Sequence, residues 1–272
     1  DDTFRRFAVE HLDNEEVRHF WTSVYPSFPK DAHLSLMNRL GKFLQPKVVR
    51  SILCQPGASL NVRAAMDAGR IILANLSDGI LGEQNAQLLG QLIVAKFQTA
   101  AMSRADVPKA SRRRFYLFVD EFQAFCGVAG TSYERILSRA RKYGLSLVLA
   151  HQQTGQVPEP VMREILGNVG SLAIFRLGAT DARRLGHELD GVCPGFAHRT
   201  LTSLAVGHAA CLFDQVFTFA TTTPPPRGGS ARIRDEAIRR SRERFGVSPG
   251  ATVRTSPASA LDALTAGDVF AS

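Results

Sequence analysis

The chain has 272 residues, 44% of them hydrophobic and 21% charged, and carries a formal net charge of +8. That length and apolar content build one sizeable core, or a core with an appended subdomain, and exclude an intrinsically disordered chain. The positive balance favours an acidic partner, with nucleic acid the usual candidate. No apolar run of spanning length and no basic-then-apolar leader occurs.

From Asp1 to Cys54 apolar residues recur at helical spacing, as in Phe4, Phe7, Ala8 and Leu12, then Val17, Phe20, Trp21 and Val24, then Leu34, Leu36, Met37, Leu40 and Phe43. Several short packed helices are expected, punctuated by Pro26, Pro29, Pro46 and Pro56. After Gly69 the pattern changes to four apolar runs of strand length: Arg70 to Leu76, Phe115 to Val119, Leu145 to Ala150 and Ser171 to Leu177. Continuous apolar runs suit strands covered on both faces, so an α/β layer with a mainly parallel sheet is expected. Helices are predicted over Gly82 to Ala101, Ser132 to Lys142, Pro158 to Leu166 and Asp181 to Leu189. A hairpin is predicted from Ala209 to Phe213 and Val216 to Ala220.

Three threonines, three prolines, an arginine and two glycines at 221–229 form a linker that neither regular structure can continue. A basic helix follows, from about Ala231 to Phe245, with Ile233, Ala237, Ile238, Ser241 and Phe245 able to share one face. Between Arg227 and Arg254 eight arginines stand against Asp235, Glu236 and Glu243, so most of the excess charge is local. Arg232, Arg239, Arg240 and Arg242 are the candidate phosphate contacts, with a solvated basic surface the competing reading. The tail beyond Gly246 reads as flexible. Cys54, Cys126, Cys193 and Cys211 form no C-x-x-C pair, so their spacing supports neither a disulfide framework nor a zinc site.

The strongest local signal is the apolar strand Phe115-Tyr116-Leu117-Phe118-Val119 ending in Asp120-Glu121. Nucleotide hydrolysis needs two carboxylate tasks at such a place. Asp120 would hold magnesium through its water shell, and Glu121 would polarise the attacking water. The next strand ends in His151-Gln152-Gln153. If the two strands are parallel neighbours, their carboxyl ends share one crevice and Gln152 stands beside Glu121, a neutral amide suited to orienting water or sensing the γ-phosphate, with a plain polar residue at a strand end the competing reading. His151 is read as a core or surface histidine without a catalytic part. Between the strands a helix stopped by Gly144 carries Arg139, Arg141 and Lys142 in its last turn. Cations are favoured there on dipole grounds alone. In a ring motor such an arginine also reaches a neighbouring subunit's phosphate, with Arg141 the first candidate and Arg139 the second.

The strings FYLFVDEFQAF, ILSRARKYGLSLVLAHQQTGQV, GNVGSLAIFRLGATDARRL and DAGRIILANLSDGILGEQNAQLLGQLIV resemble TraD/TraG-type conjugative coupling ATPases with a TraM-recognition domain, relatives of the FtsK and HerA DNA pumps. The resemblance runs from about Phe4 to Phe245. It implies a RecA-like P-loop NTPase core using ATP and Mg2+, a homo-hexamer acting on DNA, relaxosome or secretion-channel partners, and a cytoplasmic location that extends to the cytoplasmic face of the inner membrane through other segments or partners. The sequence has no aromatic-plus-basic pattern for reading bases, so DNA contact without sequence preference is expected. By position it makes Asp120 the metal-associated acid, Glu121 the water activator, Arg141 the trans arginine and Gln152 the polar sensor, and it leaves Arg176 without a role.

One departure limits that reading. No G-x-x-x-x-G-K-[ST] occurs, and the glycine-rich piece Gly127-Val128-Ala129-Gly130-Thr131-Ser132 has no lysine and follows the acidic strand. A cradle of backbone amides for phosphate is therefore missing, and the chain alone is expected not to hydrolyse ATP efficiently. The expected organisation is a helical subdomain at 1–56, the later part of an all-helical insertion; a RecA-like core lacking the phosphate loop at 57–222; and a linker, basic helix and tail at 223–272. The abrupt start at Asp1 suggests the C-terminal portion of a longer motor. The alternative is a non-catalytic module of the same fold that binds a relaxosome protein, a partner ATPase or DNA. An unrelated dinucleotide enzyme lacks its glycine fingerprint.

Overall fold

The computed structural model describes residues 2–29, 31–54, 60–126, 136, 139–194, 196, 198–214, 216–223 and 228–246. The glycine-rich piece at 127–132, most of the helix expected over Ser132 to Lys142, the prolines at 224–226 and the tail beyond Gly246 lie outside the described residues. The chain divides into two compact units, one of Asp1–Asn61, Asn75–Ala86 and Asp235–Ser272 and the other of Val62–Ala74 and Gln87–Arg234.

The first unit begins with helices α1 (Asp2–Glu10), α2 (Glu15–His19), α3 (Leu34–Leu44) and α4 (Lys47–Leu53). Asn14 starts α2 by accepting the Val17 amide through its side chain (3.1 Å), and Glu15 and Glu16 then meet the positive end of the helix dipole. The turn after α2 is held by aromatic packing: Phe20 meets Trp21 and Phe28 edge-on at 5.3 and 5.9 Å, and the Arg5 guanidinium lies 5.3 Å above the Tyr25 ring.

The second unit carries α5 (Val62–Asp67), most of α7 (Glu83–Met102) and two sheets; the short α6 (Asp78–Leu81) lies in the first unit. Strands β1 (Phe115–Val119) and β2 (Leu145–Leu149) pair in parallel, with Phe115 opposite Leu145 and Val119 opposite Leu149. Their inner face rests on α7, where Phe97 stacks on Phe115 at 5.5 Å. Gly90 permits a close approach further along α7: a Cβ there would fall 2.2 Å from the Phe125 ring.

The second sheet is antiparallel, in the order β3 (Ser171–Ile174), β4 (His208–Phe213) and β5 (Val216–Thr221). Helix α8 (Glu159–Asn168) leads into β3, and α9 (Ala179–Asp190) and α10 (Arg199–Ser203) follow it. Ile174, Ala182, Leu185, Leu189, Leu201 and Ala210 form the buried core that joins these helices to the sheet. A turn at Asp214, which takes a positive φ of 49°, closes the hairpin where the sequence predicts it.

Two details differ from the strand pattern read in the sequence. Among the described residues, parallel pairing is confined to β1 and β2, and the run at Ser171 to Leu177 hydrogen-bonds to the hairpin instead. The run at Arg70 to Leu76 forms no ladder; Ile71 and Leu73 are each 88% exposed. A strand needs a neighbour's amides and carbonyls, and this segment pairs with no strand among the described residues. The face of β1 that carries Tyr116 and Phe118 is also exposed.

One charged group lies in the core. Arg104 is fully buried, with Nε donating to Asp67 Oδ1 (2.8 Å) and Nη2 2.7 Å from the same oxygen. Its Nη1 donates to the carbonyls of Arg113 (3.1 Å) and Tyr143 (3.3 Å), tying the end of α5 to the residues that lead into β1 and β2. Helix α11 (Ala231–Phe245) closes the described chain, with none of its residues buried. No helix among the described residues is long and apolar enough to cross a membrane.

Candidate active site

The parallel register of β1 and β2 brings their carboxyl ends side by side, and the ladder runs on beyond both strands. The Ala150 amide donates to the Val119 carbonyl (3.0 Å) and the Phe122 amide to the Ala150 carbonyl (3.1 Å). Phe122 is fully buried, so the chain must turn between Val119 and Phe122. Glu121 makes that turn in the left-handed region, at φ 49° and ψ 43°. A non-glycine residue in that conformation is disfavoured by about 1–2 kcal/mol. The buried phenylalanine and the continued ladder hold it there. Asp120 is exposed, and its Oδ1 accepts the Glu121 amide at 3.0 Å.

The turn brings the Glu121 carboxylate between two amide side chains. Gln152 Nε2 donates to Oε1, and Gln123 Nε2 donates to Oε2 at 2.6 Å. These two donors, Gln123 the stronger, hold the Glu121 carboxyl below the ordinary glutamate range, against a partial loss of hydration. The same Gln123 nitrogen also donates to Gln156 Oε1 at 3.3 Å. Gln156 belongs to the turn Thr154–Gln156, where the buried Thr154 hydroxyl donates to Asp181 Oδ1 (2.5 Å) in the first turn of α9. His151 packs edge-on against Phe122, with ring centroids 5.2 Å apart, and faces the core. Cys126 lies buried at the end of the 3-10 turn Phe122–Phe125, and burial pushes its thiol up to about 12, so it stays protonated.

Asp120, Glu121 and Gln152 therefore meet at one place, as the strand order read from the sequence requires. Arg141 does not join them: it is exposed on the turn Ala140–Tyr143 and makes no hydrogen bond or ion pair with those three residues. Arg112 and Arg104 fasten that turn from below, donating to the carbonyls of Lys142 (2.6 Å) and Tyr143 (3.3 Å). Arg112 and Lys142 also lie 5.2 and 5.1 Å from the Tyr143 ring. Arg176 is exposed after β3. Sequence reasoning missed Gln123 and Gln156, because Gln123 meets the Glu121 carboxylate through the left-handed turn at Glu121, and Gln156 meets Gln123 from 33 positions away.

On α11, Arg239 pairs with Glu236 (2.7 Å) and Glu243 (2.5 Å), and Arg240 pairs with Glu236 (2.6 Å). Two of the four candidate phosphate contacts are thus engaged within the helix, and Arg232 and Arg242 enter no ion pair among the described residues. The hydrogen bonds from Arg239 and then Arg240 draw the Glu236 carboxyl from 4.5 to about 2. Because its folded value is depressed, the pairing contributes fully above about 4.5 and is lost as the pH falls through about 2. A 13C NMR titration of the Glu236 carboxyl should give a midpoint near 2, moving towards 4.5 when Arg239 and Arg240 are both replaced by alanine.

Residues 81–185 match the model of the type IV secretion-system coupling protein DNA-binding domain. That segment contains β1, β2, Asp120, Glu121, Arg141, Gln152 and Arg176. Among solved structures, the chain is similar to the bacterial conjugative coupling protein TrwBΔN70 in its unbound monoclinic form, with a TM-score of 0.57 and 16% identity. The plasmid coupling protein TrwB in complex with the non-hydrolysable GTP analogue GDPNP gives the same values. TrwB with the non-hydrolysable ATP analogue ADPNP gives a TM-score of 0.52 at 15% identity. In each case the match covers 84% of this chain and 59% of the other. The chain thus spans less than two thirds of the coupling protein it resembles. No curated protein sequence matches it. The coupling-protein resemblance read from the four sequence strings is borne out, and so is the expected RecA-like α/β fold class.

Proposed function

We propose, from the coupling-protein signature over residues 81–185, that this chain is part of an ATP-driven DNA-translocating motor for conjugative transfer or type IV secretion, corresponding to the C-terminal portion of such a protein. The observation that carries the reading is the pairing of Glu121 with Gln152 at the carboxyl ends of two parallel strands. Open α/β folds bind their ligands at that edge.

In this reading Glu121 is the general base. Its carboxylate is ionised near neutrality, accepts a proton from water and leaves that water free to attack the γ-phosphorus. Gln152 orients the carboxylate and senses the terminal phosphate with the same amide. Asp120 suits a magnesium ion: its side chain is exposed, and its Oδ2 accepts no hydrogen bond among the described residues. Magnesium asks for little more from a protein than one carboxylate, since water and phosphate oxygens fill its shell. When bound, it would neutralise charge on the β- and γ-phosphate oxygens. The phosphate cradle is supplied by a segment outside these 272 residues. Arg141, exposed and fastened from below, serves a neighbouring subunit in a homo-hexamer, with relaxosome or channel proteins as further partners.

The DNA contact is assigned to α11, through Arg232, Arg239, Arg240 and Arg242. Binding to backbone phosphates weakens linearly on a logarithmic salt scale, with a slope of about 0.9 per phosphate neutralised. Replacing all four arginines by alanine should lower that slope by about 2–4, measured by titrating DNA at several salt concentrations. An unchanged slope would remove α11 from the DNA interface. The missing phosphate-loop sequence favours one second reading, a degenerate module of the same fold. DNA-stimulated ATP turnover by the complete gene product supports the motor. ATP affinity without turnover supports the module.

A further inference from the structure

We propose that Gln123 is a positioning residue for Glu121, fixing its carboxylate against Gln152 through an amide that Gln156 orients in turn. This rests on the hydrolytic reading above.

A glutamate at the end of a strand has three freely turning side-chain bonds, and a base that swings through them is seldom aimed at one water. Here both carboxylate oxygens are held, Oε1 by Gln152 and Oε2 by Gln123 at 2.6 Å. The two donors come from different places in the chain, one after β2 and the other from Glu121's own turn. The left-handed backbone at Glu121 and the buried Phe122 are what fold Gln123 back beneath the carboxylate.

The direction of the Gln123 amide follows from its neighbours. Nε2 faces two acceptors, Glu121 Oε2 and Gln156 Oε1, at 2.6 and 3.3 Å. Turning the amide over would set its oxygen against the Glu121 carboxylate, which can only accept, so the donor orientation is fixed by chemistry. It carries a cost, because Gln123 Oε1 is buried without a hydrogen-bond partner among the described residues. Gln156 is itself held in place, since its turn is pinned to α9 by the bond from Thr154 to Asp181. A line of contacts thus runs from the start of α9 to the hydrolytic carboxylate. Gln123 is the member that touches Glu121, and no part of the catalytic assignment above uses it.

Two measurements test this. In the 272-residue chain, Glu121→Ala should shift the side-chain amide proton resonances of both Gln123 and Gln152; an unmoved Gln123 resonance overturns the contact. In the complete gene product, with magnesium, ATP and DNA, Gln123→Leu should lower kcat by about 10- to 100-fold while KM for ATP stays within about twofold. The near-isosteric Gln123→Glu, which keeps the shape and loses the donor, should do at least as much harm. Adding Gln123→Leu to Glu121→Gln should cost nothing further, because the two act as one unit. A role confined to folding would instead spare the Glu variant and add its loss to that of Glu121→Gln. Full turnover in Gln123→Leu beside an inactive Glu121→Gln overturns this inference alone. Full turnover in Glu121→Gln, or none in the wild type, overturns the hydrolytic reading and this inference with it.

Discussion

Replacing Asp67 by alanine is expected to destabilise the unit of Val62–Ala74 and Gln87–Arg234 by about 3 kcal/mol. The reason lies in the partner. Arg104 has no exposed surface, and among the described residues Asp67 is its only counter-ion. Removing that carboxylate strands a buried guanidinium whose remaining bonds go to two carbonyls, Arg113 O and Tyr143 O. Breaking one side of a buried pair costs about 3–5 kcal/mol, and the low end applies because the Asp67 side chain is 44% exposed and water can take its place. Arg104→Met removes the charge but leaves those carbonyls without a donor, for about 1–3 kcal/mol. The double variant should lose less than the two single losses together. Amide hydrogen exchange of β1 across a urea series reads the change where it acts. A loss for Asp67→Ala below about 1 kcal/mol would mean that the guanidinium is hydrated in solution.

Glu121→Gln should lower turnover by about 100- to 10,000-fold in the complete gene product, the range that a general base supplies. The variant keeps the shape of the side chain and one oxygen able to accept a bond from Gln123 or Gln152. It loses the capacity to take a proton. Nucleotide affinity should change little, because nothing in the reading gives Glu121 a part in binding the ground state. A fall in affinity matching the fall in turnover would make Glu121 a ligand-binding residue instead of a base.

The sequence made β1, β2 and α7 legible because each is a long run of one pattern. Five consecutive apolar residues bounded by Asp120-Glu121 match strand length, and α7 lies within a residue of the expected bounds at each end. The meeting of Glu121 with Gln152 was legible as well, since parallel neighbours must deliver their carboxyl ends to one edge. The run at Arg70 to Leu76 misled because strand propensity names a segment without naming its partner, and Ile71 and Leu73 meet none among the described residues. Arg104, between Ser103 and Ala105, has no neighbour in the sequence that signals burial. Only the convergence of Asp67, Arg113 and Tyr143, as many as 39 positions away in the chain, makes it a core residue. Gln123 was hidden for a shorter-range reason, since a glutamate adopts the left-handed conformation too rarely for sequence to suggest it.

The arginines of α11 carry a similar lesson for charge. Their number is plain in the sequence, but Glu236 and Glu243 engage Arg239 and Arg240, so the helix offers less free positive charge than a count suggests.

Hydrolysis at the ends of β1 and β2 is the step on which the proposed motor depends. Its most direct test is phosphate release from ATP by the complete gene product, with and without DNA, for the wild type beside Glu121→Gln. The prediction is release that DNA stimulates in the wild type and that the single substitution removes in both conditions. DNA-stimulated release that survives in Glu121→Gln would contradict it.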